Sequence, residues 1–174
     1  MIQNQKMTGI PDHTATVKAI ANCIGKTVSG IARVQFYYDN REDTDGMGDL
    51  EFTFDDNSYL TLSGLGDAES IKASNKNADI PDSLPITGQN SYWKKIDMKD
   101  DIDWEKIMGQ TLQSAEIEWD IFHGQKGNPL SCVLHFNTDF VTFNLTSADA
   151  NEFFVNKAFS VANGETRIEK IKIA

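Results

Sequence analysis

Gly25-Lys26-Thr27-Val28 recurs as Gly109-Gln110-Thr111-Leu112, and the flanks of the two stretches are alike. Before the first, Val17, Ile20, Ala21 and Ile24 recur at i, i+3, i+4, i+7, the period of one helix face. Before the second stand Trp104, Ile107 and Met108, preceded by Asp101 and Asp103 as N-cap candidates. In both places Gly falls where a helix would stop. After each stretch the period changes to two. Ala32, Val34, Phe36 and Tyr38 alternate with polar residues in the first copy, and Ala115, Ile117, Trp119 and Ile121 do so in the second. Alternation of this kind predicts a strand with one buried face.

The parallel continues outward. A polar stretch follows, then Leu50, Phe52 and Phe54, matched by Cys132, Leu134 and Phe136. A tight turn leads to Tyr59-Leu60-Thr61-Leu62, matched by Phe140-Val141-Thr142-Phe143, and Asp67-Ala68 is echoed by Asp149-Ala150. Each copy closes on a further strand, with Trp93, Ile96 and Met98 against Ile168, Ile171 and Ile173. The expected fold class is therefore α+β. Two tandem copies of a helix plus antiparallel meander (α-β-β-β-β) would pack together with a pseudo-two-fold relation. The expected division is an N-terminal segment 1–13, a first repeat 14–100 and a second repeat 101–174, the repeats forming halves of one globular unit because each alone is small. The stretch 74–91, with Pro81 and Pro85 and no periodicity, reads as an exposed connection.

Composition limits function. The chain has 174 residues, of which 26 are acidic and 16 basic, for a net charge of −10. Nucleic-acid and anionic-membrane surfaces need clustered Lys and Arg, so neither partner is expected. A partner with a basic surface fits the charge better. No apolar run of signal-peptide or membrane-span length stands out, and Cys23 and Cys132 both fall on apolar faces. Two buried, reduced thiols and a cytoplasmic location follow as expectations.

Three clusters invite a functional reading. The stretch 39–49 holds Asp39, Glu42, Asp43, Asp45 and Asp49. Asp43-Thr44-Asp45-Gly46 looks like part of a calcium loop, but Arg41 and Phe52 occupy the positions that need acids. An acidic hairpin loop, solvated or docking a partner, is the better reading. Glu116, Glu118 and Asp120 alternate, so they share one strand face, spaced about 6–7 Å apart. His135 falls where cross-strand pairing would bring it near them. That is a cationic-partner face, a solvated face or an acid/base platform. Gly64-Leu65-Gly66-Asp67 lacks the later Gly of a dinucleotide fingerprint and the Lys of a P-loop, so it reads as a turn. Neither Ser131 nor Ser147 has a nucleophile-elbow context, and His123 has no convincing second ligand. No catalytic residue, metal site or cofactor is expected.

In its acidity, small size and lack of catalytic machinery, the whole chain resembles the small immunity proteins that neutralise bacterial polymorphic toxins. The resemblance implies a non-enzymatic inhibitory protein capping a basic toxin or effector domain. Under that reading the expected partner-binding residues are the acids with no helical or capping role: Asp39, Glu42, Asp43, Asp45, Asp49, Glu116, Glu118 and Asp120. Acidic groups would mimic the anion that such a toxin binds and speed association. A small-ligand or regulatory module with a pocket between the repeats is the alternative. An enzyme centred on Glu116, Glu118, Asp120 and His135 is the third reading.

Overall fold

The computed structural model describes residues 13–65, 70–82, 90–147, 150–158 and 166–172. One helix, α1 (Thr14–Ala21), precedes ten strands. The first five are β1 (Val28–Tyr38), β2 (Arg41–Phe54), β3 (Tyr59–Gly64), β4 (Ile71–Ser74) and β5 (Ser91–Asp97). The second five are β6 (Ser114–Phe122), β7 (Gln125–His135), β8 (Phe140–Ser147), β9 (Ala150–Val155) and β10 (Thr166–Lys172). They form two antiparallel sheets, β4-β3-β2-β1-β5 and β9-β8-β7-β6-β10. Each is a four-strand meander whose first strand also pairs with the last strand of the sheet.

This architecture corrects the α+β expectation of two α-β-β-β-β units. The described residues are mostly β, with five strands per sheet and, among them, one α-helix of eight residues. The second helix does not form, and a single 3₁₀ turn over Glu105–Ile107 stands in its place. Only seven residues separate Asp101 from Gly109, too few to recover the cost of helix nucleation. Gly109, at φ +77°, ends the turn. Trp104 and Ile107, three apart, still reach the core from this turn. The extra strands β4 and β9 carry little alternation: β4 has four residues, and the neighbouring Phe153 and Phe154 blur the pattern in β9.

Alternation in β1 also misassigns a face. Register shifts between Val28 and Gly30 and between Arg33 and Gln35 break its period. Of the expected face only Val34 is buried; Ala32 and Phe36 are partly exposed, Tyr38 is 44% exposed, and Val28 and Ile31 are buried. Bulges insert residues that reverse which side faces the core. Three other stretches obey the pattern despite shifts elsewhere in their ladders. Leu50, Phe52 and Phe54 are buried, as are Ala115, Ile117 and Trp119, and Cys132 and Leu134. Each such apolar side chain contributes about 1.5–3 kcal/mol when fully buried. Inward residues of both sheets join one core, with Phe52 and Phe136 rings 5.8 Å apart across it. Trp104 meets Phe153 edge-on at 5.8 Å.

The two Gly-x-Thr stretches pair with each other. Gly25 N–H donates to Leu112 O (2.7 Å), and Gly109 N–H donates to Val28 O (2.9 Å). Val28 N–H donates to Gln110 O and Leu112 N–H to Lys26 O, both at 2.9 Å. Thr27 and Thr111 face one another, their Oγ1 atoms 3.1 Å apart. These bonds come in matched pairs, so a local two-fold relation holds at this bridge although the helices do not obey it.

Candidate functional site

The polar stretches thought to be loops are strands. The β1–β2 turn is Asp39-Asn40, both at positive φ, and β2 begins at Arg41. The β6–β7 turn is His123-Gly124, again at positive φ. Paired left-handed residues make the tight hairpin turns that match strand twist. The acidic stretch 39–49 is therefore a hairpin arm and not a loop, because both its faces are polar and alternation cannot show. Its acids are spread along a strand rising about 3.3 Å per residue. Asp39 is at the tip, with its backbone N–H donating to Asn90 O. Glu42 receives Arg33 Nη2 at 2.5 Å. The backbone carbonyl of Asp43 accepts from Gln35 Nε2. Asp49 is half-buried near Ser63, and burial pushes its carboxyl above the usual range against the opposing Ser63 hydrogen bond. The side chain of Asp45 lies outside the described residues. Gly64 closes β3 and does not form a turn: a Cβ there would stand 2.6 Å from Asn151 Oδ1, so glycine permits the approach of β9. Gly66 and Asp67 lie outside the described residues.

Glu116 and Glu118 fare differently. Both line a cavity of about 280 Å³ on the outer face of the second sheet. Alternation along β6 places them there, and the opposite alternation along β7 adds Ser131, Val133 and His135. Phe140 and Thr142 of β8 and Ile168 of β10 complete its walls, with Ala158 from the segment after β9. Lys170 Nζ lies 2.8 Å from Glu116 Oε1, while His135 Nε2 is 3.9 Å away, too far for a hydrogen bond. Glu118 Oε2 receives only the Ser131 hydroxyl, at 3.3 Å, and no cation pairs with it among the described residues. Asp120 does not join them, since its carboxylate accepts the Asn128 backbone N–H. Asn144, the cross-strand neighbour of Ser131, is fully buried on this face with neither amide atom hydrogen-bonded. Buried amides are nearly always satisfied. Ser131, Thr142 and Asn144 were legible as outward residues of alternating strands, but nothing in the sequence tied them to Glu118.

Four further groups are shifted for structural reasons. Burial pushes the Cys132 thiol up to about 12. Burial likewise lifts Cys23 to about 11, against the nearby Lys26 charge. Both are free and buried, which suits inert core thiols. Asp56 is held well below the usual carboxylate range, first by Lys26 and then by Ser58. Asp139 is held low by Asn156, Thr138 and Gln110 in that order. Lys26 and Gln110 are the middle residues of the two Gly-x-Thr stretches, so each stretch secures the aspartate of a neighbouring turn. Among the described residues, no three His, Cys, Asp or Glu side chains are gathered to hold a metal ion. No helix among them is long and apolar enough to cross a membrane.

Fold and site together define a two-sheet antiparallel β protein with a carboxylate-lined pocket on the outer face of one sheet. Comparison of the chain with family models, with curated proteins and with solved structures found no match.

Proposed function

We propose that this is a non-enzymatic binding protein that holds a cationic group of a basic protein partner in the Glu116–Glu118 pocket. The observation that carries the reading is the Glu118 carboxylate, which lines a cavity and has no cation of its own among the described residues. A carboxylate confined among Val133, Phe140 and Ile168 attracts a Lys or Arg side chain, whose aliphatic stem covers apolar walls while its head meets the charge. The net charge of −10 would steer a basic partner toward it. The finer form of the proposal is an immunity protein that caps a basic toxin domain; charge, size and the absence of a recognisable catalytic motif support it.

Titration with an arginine-rich peptide, followed by calorimetry, tests the reading. The native protein should bind in low salt and more weakly in high salt, since exposed charges are screened over about 8–10 Å. Glu118→Gln should weaken binding about tenfold, or about 1.4 kcal/mol. Equal affinity of native and Glu118→Gln proteins, with both folded, would overturn it.

A further inference from the structure

A second cavity, of about 250 Å³, lies where the start of α1 meets the second sheet. His13 and Val17 line it from one side, with Trp119 of β6, Lys126 of β7 and Glu169 of β10 from the other. Trp119 is 1% exposed, yet its indole N–H has no hydrogen-bond partner among the described residues. A buried donor left unbonded is costly, and an indole N–H in a core usually finds an acceptor. Lys126 Nζ sits 4.2 Å from the centroid of the same ring and 2.7 Å from Glu169 Oε2. The His13 ring is tilted against that of Trp119, centroids 5.9 Å apart, and its Nε2 is 3.2 Å from Asn128 Oδ1.

We infer that this cavity binds a small organic carboxylate, with one oxygen accepting from the Trp119 indole N–H and the charge facing Lys126. The missing partner of Trp119 is an acceptor, so the ligand must supply one. Lys126 provides a cation at the same ring, which favours a charged acceptor over a neutral carbonyl. Glu169 already shares that cation, which favours one negative charge over the two of a phosphate. Val17 and the indole face give an apolar wall for a short aliphatic stem. The site is separate from the Glu116–Glu118 pocket and does not depend on the reading proposed for it.

The indole N–H reports directly on this bond. The chain has three Trp, so a nitrogen–proton correlation spectrum shows three indole peaks. Trp93→Phe and Trp104→Phe identify two, and the third belongs to Trp119. Titration with sodium butyrate should move the Trp119 peak downfield and saturably, while equal sodium chloride should not. Lys126→Met should weaken that titration about tenfold. A static Trp119 peak across the millimolar range would overturn the inference. So would an equal response to chloride, a response to inorganic phosphate at lower concentration than to butyrate, or an unchanged affinity in folded Lys126→Met.

Discussion

The outer faces of the two sheets carry the same kinds of residue in different arrangements. In the first sheet Ala32 of β1 pairs with Glu51 of β2. In the second, Glu116 of β6 pairs with Val133 of β7. Carboxylate and apolar residue have changed places between neighbouring strands. The consequence is large. Glu51 is on the central strand and buried, and small Ala32 leaves room for Lys95 to reach it from β5, at 2.6 Å. Ala78, buried over the same face, donates its backbone N–H to the same oxygen at 2.5 Å. The first sheet thus satisfies its carboxylate internally. In the second, Lys170 of the edge strand takes Glu116, and Glu118 keeps a hydroxyl and a cavity. One face is filled by the chain's own lysine; the other leaves a cavity beside Glu118, where we propose an outside cation binds.

The largest expected effect separates the two lysines. Lys95→Met strands the buried Glu51 carboxylate and should cost about 3 kcal/mol in urea unfolding. Lys170 is 62% exposed, and Lys170→Met should cost under about 0.5 kcal/mol. Equal costs would break the contrast between a filled and an unfilled face. A smaller effect belongs to the bridge, where the two halves are most alike. Thr27→Val and Thr111→Val remove the same hydrogen bond, and each should cost about 1 kcal/mol. The double variant should cost less than the sum, and strict additivity would show that the bond contributes nothing.

The smallest effects are in pH. Asp56 and Asp139 have folded values below their unfolded ones, so each contributes stability that is present above about pH 4 and lost as pH falls through the folded value. Asp139→Asn should flatten the acid limb of a stability profile. Asp49 is raised, so its contribution runs the other way: full below its unfolded value and lost as pH rises through the folded one. Asp49→Asn should therefore raise stability at neutral pH relative to acid. Salt sharpens the comparison, because the Lys26–Asp56 pair is ionic and screened, whereas Gln110 holds Asp139 as a neutral amide at 2.5 Å.

Much of this was open to reading from residues alone. Period-two alternation at Leu50–Phe54, Ala115–Trp119 and Cys132–Phe136 determined inward faces, because a strand's side chains must alternate and the apolar set must leave water. The shared face of Glu116 and Glu118 came from the same rule. The limits had physical causes too. Bulges in β1 shifted its register, a short interval before Gly109 held the second helix to one 3₁₀ turn, and the arm 39–49 hid a strand because its sequence is nearly all polar and shows no apolar alternation.

Sequence by itself determined which side chains point the same way, since that depends only on local backbone geometry. Tertiary structure decided which of them meet. The Thr27–Thr111 pairing, the capture of Glu51 by Lys95 and the Ser131 hydroxyl on Glu118 rest on contacts between residues distant along the chain. Such contacts depend on which strands pair and at what register. The bridge alone leaves a trace in the sequence, as the repeated Gly-x-Thr, and even that repeat does not say that its two copies bind one another.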